Sequence, residues 1–170
     1  MTELHDSPRT SCPECGAPQV AGLTCWEQLG AIIAWEAQDP ELQAEHFLTV
    51  AAYNLQHPAQ FTDEALAGLQ TALIDRLDKG VAVEVLRRRA AAAFEGKKRV
   101  LKKEVERRPV LRPWPMTIAD VYRPDQPEGA AERVRRWAAG IRSELGNLTQ
   151  LKRGNCSGMS FRRSEATSPR

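Results

Sequence analysis

The sequence predicts an all-α fold: a helical bundle built on an antiparallel helical hairpin, with a Cys-x-x-Cys zinc knuckle on its N-terminal side. Three observations carry this expectation. Apolar residues recur at helical spacing, as in Leu66, Leu69, Leu73, Ile74 and Leu77. Helix start and stop signals bracket those stretches, among them Thr24 to Glu27, Asp39-Pro40, Thr62 to Glu64 and Lys79-Gly80. Cys12 and Cys15 flank two residues, with Cys25 close behind, and no stretch alternates as a strand would.

At 170 residues the chain fits one domain with a real core. The formal charge is +2, from 24 basic and 22 acidic residues, so the whole-molecule field implies neither nucleic acid nor a membrane surface. No apolar run approaches the roughly 18 residues of a membrane span, and Met1 to Asp6 are polar where a signal peptide would be apolar. A cytoplasmic location is expected. In a reducing compartment, Cys-x-x-Cys near a further cysteine and a histidine points to metal rather than to disulfides.

Taken in order, residues 1–11 are expected to form a flexible N-terminus, 12–148 a zinc-stabilised helical domain, and 149–170, rich in Gly, Ser and Arg, a disordered tail. In the knuckle, Gly16 permits the positive φ that brings two thiolates onto one metal. Thr24 and Glu27 form a capping box that puts Cys25 in the first turn of a helix running to about Gln38. There the helix dipole favours a thiolate. Trp26, Leu29, Ile32, Ile33 and Trp35 supply its apolar surface, and the tryptophans are expected in the core. Asp39-Pro40 opens a second helix, read as continuous to about Gln56, where His57-Pro58 ends it. A third helix follows Thr62 and stops at Lys79-Gly80. A fourth starts near Val81 or Ala82, with Val83, Leu86, Ala90 and Phe94 as its buried side.

Pro109, Pro113 and Pro115 mark an extended strap around Trp114. Thr117 caps one short turn that delivers Ile118, Val121 and Tyr122 inward. The last helix is expected from near Pro127 to about Leu145, with Gly146 as its stop and Val134, Trp137, Ala138 and Ile141 as its apolar face.

Two histidines compete to be the fourth metal ligand. At ~1.5 Å rise per residue, His46 and His57 lie roughly 16 Å apart on one helix, so one ion cannot take both. In an antiparallel hairpin turning near Gln38, Cys25 lies opposite Asn54 to His57, while His46 faces the region of Ile33. The expected ligands are therefore Cys12, Cys15, Cys25 and His57, holding zinc. Such a Cys₃His site is closed and structural. Without His57 the metal would have an open position for Lewis-acid chemistry. The alternative is three reduced thiols with no metal.

His46, Thr49 and Tyr53 share a helical stripe and form a candidate polar pocket in which an imidazole could act as a base. The plainer reading bonds His46 to a neighbouring backbone group or an acid such as Glu45. Between Arg87 and Arg108 ten basic residues face three acids, with Arg87, Arg88, Lys97, Lys98, Lys102 and Lys103 as a candidate phosphate-binding patch. Thin aromatic interleaving argues for a solvated face instead. Cys156 is expected to be a free thiol.

Several motifs resemble one family in order: Cys12 to Ala17, Cys25-Trp26, His46 to Tyr53, Gln56-His57-Pro58, Met116 to Tyr122 and Arg133 to Ala138. Together they resemble a bacterial family known as domain of unknown function 5946, over roughly residues 10 to 148. The resemblance implies pairing of Cys-x-x-Cys and a third cysteine with the histidine stretch. It implies no activity, and many relatives carry an acid where Ala51 stands here. The expected function is a non-catalytic, zinc-stabilised interaction or regulatory module with a protein partner. The alternatives are a metal- or histidine-dependent enzyme and a nucleic-acid-associated protein.

Overall fold

The computed structural model describes residues 11–96 and 98–156, the last ten of these, 147–156, as backbone only. Among the described residues seven α-helices carry the fold: α1 Cys25–Glu36, α2 Pro40–Ala44, α3 His46–Gln56, α4 Asp63–Lys79, α5 Val83–Ala93, α6 Ile118–Val121 and α7 Ala130–Cys156. Among the described residues there is no strand, only isolated bridges. None of the helices described is long and apolar enough to cross a membrane.

The local signals act where expected. Thr24 accepts from the Glu27 amide and Glu27 accepts from the Thr24 amide, so both ends of the capping box are made. The Asp39 carboxylate accepts from the amides of Glu41 and Leu42 at 3.0 and 3.1 Å. Thr62 caps α4, and Gly80 closes it at φ 64°, a left-handed position at which a Cβ would be strained.

Besides the apolar side of α5, described below, three features differ from the sequence expectation. The second helix is broken at Glu45 into α2 and α3. The Glu45 carbonyl accepts from both the amide and the hydroxyl of Thr49, the back-bonding that bends helices. The break lets Leu42 and Leu48 both reach the core. Trp26 is 68% exposed rather than buried, because Cys25, Gln28, Leu29 and Ile32 claim the inward stripe of α1 and turn their neighbour outward. And α7 passes Gly146, the expected stop, to continue to Cys156, since a glycine without a left-handed cap does not by itself end a helix. The expected tail is thus helical over 149–156, while 157–170, residues 1–10 and Lys97 lie outside the described residues.

The core is centred on α7, which packs on α2, α3, α4 and α6. Trp137, Ile32, Leu42, Leu73, Ile118 and Ile141 are fully buried. Burying each such side chain contributes about 1.5–3 kcal/mol. The buried Arg133 guanidinium donates to the carbonyls of Val121, Gln126 and Glu128 and so fixes the connection from α6 into α7. On α5 the expected apolar side shrinks to one buried residue, Leu86, and Ala90 is exposed.

The proline-rich strap ties separate parts together. Val100 accepts from the Thr62 amide, the Lys102 amide donates to Gln60, and the Arg112 amide donates to the Glu14 carbonyl in the knuckle. The Gln56 amide group then donates to the Met116 carbonyl at 2.7 Å.

Candidate metal centre

The knuckle is built by its own backbone. The Cys12 amide donates to Ala17 and the Gly16 amide returns to Cys12, with Gly16 at φ 74°. Val20 and Leu23 then exchange two hydrogen bonds across a two-residue turn in which Ala21 and Gly22 both have positive φ. This hairpin delivers the chain to Thr24 and the first turn of α1. From the other side, α3 ends at His57, which is held out of helical conformation before Pro58.

These elements converge on one point. One donor atom each from Cys12, Cys15, Cys25 and His57 lies within 4.8 Å of every other. His57 Nε2 is 3.4 Å from Cys12 Sγ and 3.3 Å from Cys25 Sγ, and Cys15 Sγ is 3.6 Å from Cys25 Sγ. A tetrahedron with ordinary zinc–sulfur and zinc–nitrogen bonds has edges of about 3.8 Å between sulfurs and about 3.6 Å from sulfur to nitrogen. The observed spacings come close to that figure, so the residues fit a metal ion in both chemistry and size.

The surroundings orient the ligands. His57 Nδ1 donates to the Tyr53 carbonyl at 2.6 Å, which leaves Nε2 as the atom facing the sulfurs. The Tyr53 ring stacks on the imidazole at 3.9 Å, and its hydroxyl lies 3.8 Å from Cys25 Sγ. Trp26 covers Tyr53 edge-on at 6.0 Å. Glu14, inside the knuckle, accepts from the Ala59 amide at 3.1 Å and ties the two ligand-bearing segments together.

Crowding ionisable sulfurs into a buried cluster couples their protons. Hydrogen bonds from Cys15 and Cys25 pull the Cys12 thiol far down, and hydrogen bonding to the same thiolate pushes Cys25 up. Burial, then the charge of Cys25, raises Tyr53. Burial pulls His57 down, but hydrogen bonds to Cys12 and Cys15 outweigh it and leave its pKa at about 10. Without an ion the cluster thus concentrates thiolate and shared protons, which a divalent cation would displace.

The other candidate residues are dispersed. His46 turns away from Thr49 and Tyr53 and pairs through Nδ1 with Glu36 Oε2 at 2.7 Å. Thr49 is fully buried against Glu45, and Tyr53 packs against His57 and Cys25 of the cluster. Among the basic residues, Arg87 and Arg88 are exposed on α5, Lys98 pairs with Glu64, and Lys102 pairs with Asp63. Lys103 is exposed on the strap. Half of the expected patch therefore neutralises the acidic first turn of α4 or falls on Lys97, outside the described residues. Sequence reasoning missed Glu36 as the partner of His46, Glu14 as a tie and Tyr53 as the ring behind His57. Only Tyr53 had a signal, its i, i+4 spacing from His57.

Fold and site together define a small all-helical domain whose N-terminal segment is gathered around a Cys₃His cluster. The chain belongs to the family of unknown function DUF5946, whose model matches residues 10–146. No curated protein and no solved structure matches it.

Proposed function

We propose that the Cys₃His centre holds a structural zinc ion and that the domain is a non-catalytic interaction or regulatory module in the cytoplasm. The observation that supports this is the mutual distance of the four donor atoms, all within 4.8 Å. Three thiolates and an imidazole are soft donors that suit zinc, and four protein ligands complete a tetrahedron without a position for water or substrate. The metal's task would be mechanical. Residues 11–24 contribute few large apolar side chains, so coordination would join them to α1 and α3 where packing cannot.

Metal analysis of purified protein tests the reading. One zinc per chain is expected, with His57→Ala losing it to a competing chromophoric chelator. Metal-free protein, or a His57→Ala variant that holds zinc as tightly as the parent, would sink it.

A further inference from the structure

The Cys₃His cluster is unevenly covered. Cys15, Cys25 and His57 are 2%, 7% and 7% exposed, whereas Cys12 is only half-buried. Cys12 and Cys15 share one turn, closed by the Gly16 amide donating to the Cys12 carbonyl at 3.0 Å. Cys25 stands apart, in the capped first turn of α1. Every sulfur lies within 4.8 Å of the other two, so a disulfide of about 2.05 Å needs a movement of less than about 3 Å. An accessible thiolate beside a second thiol at Cys-x-x-Cys spacing is the arrangement that oxidants single out.

Inside that turn, Glu14 holds two outside segments. Its carboxylate accepts from the Ala59 amide at 3.1 Å, just past His57, and its carbonyl accepts from the Arg112 amide at 2.9 Å, in the strap. Next to Cys15, Gly16 stands so near the strap that a Cβ added there would lie 3.5 Å from Leu111 Cδ1. Val110 and Leu111 are themselves exposed, so apolar packing does little to hold this part of the strap. Its place depends on the shape of the Cys12 to Gly16 turn.

We propose that the cluster is a redox switch: a peroxide oxidises Cys12, Cys15 closes a disulfide with it, and the altered turn lets go of the strap. The inference rests on the zinc reading above. First the Cys12 thiolate attacks a peroxide oxygen, giving a sulfenic acid and hydroxide. The Cys15 thiolate then attacks the Cys12 sulfur, and a second hydroxide leaves. Two electrons pass from the sulfurs to the peroxide. Cys25 and His57 are the donors that remain, and two are too few to retain zinc. Pinched by the new bond and freed of the metal, the turn no longer presents Glu14 to Ala59 and Arg112. Thiol exchange reverses the bond, as a transient intracellular disulfide requires.

The test uses the full chain with Cys156→Ser, which leaves three thiols to map. Zinc is first quantified with a chromophoric chelator after denaturation; its absence would overturn the zinc reading and this inference with it. One equivalent of hydrogen peroxide is then expected to free about one zinc per chain. Peptide mapping should show Cys12 joined to Cys15, with Cys25 still open to alkylation. Hydrogen exchange read by NMR should quicken about tenfold or more at the Ala59 and Arg112 amides and change little at Leu73 in the core. Reductant and zinc should restore the starting state. Cys12→His keeps a zinc ligand but removes the accessible sulfur, and should hold its metal against peroxide; if it binds no zinc, the map of the parent decides. With zinc present, the switch alone is overturned if peroxide frees no metal or if the disulfide takes Cys25. It is equally overturned if the Ala59 and Arg112 amides exchange unchanged once the metal has left.

Discussion

The knuckle end and the α4–α5 end of this molecule are held together by opposite means. Around Cys12, Cys15, Cys25 and His57 the chain is short of large apolar side chains yet tightly enclosed: three of the four side chains are buried, and the backbone turns are tied by Glu14, Tyr53 and the strap. At α5 the chain is helical and has alanine in abundance, yet Leu86 alone is buried on it, and the ion pair that reaches α4 is that of the exposed Arg89 with Asp75. Secondary structure and tertiary attachment are therefore separate matters. A loop segment can be firmly fixed by ligands, and a well-formed helix can be loosely attached when its facing residues are too small to interdigitate.

The largest effect that would break this contrast is removal of the proposed zinc ion. Structural zinc supplies an apparent binding free energy of about 10–16 kcal/mol in small metal-dependent domains, comparable to or larger than the total stability of an ordinary domain. A strong chelator is expected to release residues 11–24 and lower the melting temperature sharply, while the α4–α5 hairpin keeps its helicity. Circular dichroism with limited proteolysis would read both. Retention of the parental melting curve after complete removal of metal would abolish the distinction between the two ends.

Truncating leucines is expected to separate the ends more finely. Leu73 is fully buried against α7, so Leu73→Ala should cost about 2–5 kcal/mol in denaturant unfolding. Leu86 lines an open space into which its neighbours can relax, so Leu86→Ala should fall at or below the lower edge of that range, about 2 kcal/mol. Equal losses would mean that α5 is as firmly packed as the core.

The smallest effect concerns acid. A hydrogen bond from Lys79, reinforced by the charges of Lys79 and Arg89, holds the Asp75 carboxyl below its ordinary value of 3.8. A folded pKa below the unfolded one means that the contribution is present above pH 3.8 and is lost as pH falls through the lower folded value. Asp75→Asn should therefore lower the melting temperature slightly at neutral pH and by progressively less as pH falls below 3.8, with hydrogen exchange quickening in α5 before any other helix. A uniform loss across that pH range would assign Asp75 a role other than its ion pairs.

Much of the fold was legible because its signals are local. Thr24, Asp39, Thr62 and Gly80 act on amides and carbonyls within four residues, and no distant contact overrules them. The hairpin reasoning that preferred His57 to His46 needed only helix rise and a turn near Gln38, and the structure puts His57 beside Cys25. The errors share a cause. Trp26 looked like core because apolarity was weighed without knowing that the inward stripe of α1 belongs to Cys25 and Ile32. The break at Glu45 is invisible in a pattern that stays helical on both sides.

What the sequence alone determined is the helical class, most of the helix ends and the choice of the four residues that cluster, since spacing and capping are properties of neighbours along the chain. Only the tertiary structure decided that His46 turns to Glu36, that Tyr53 backs the Cys₃His cluster, and that Leu86 is the one buried residue of α5. Those outcomes depend on which side chains, tens of residues apart, compete for the same space.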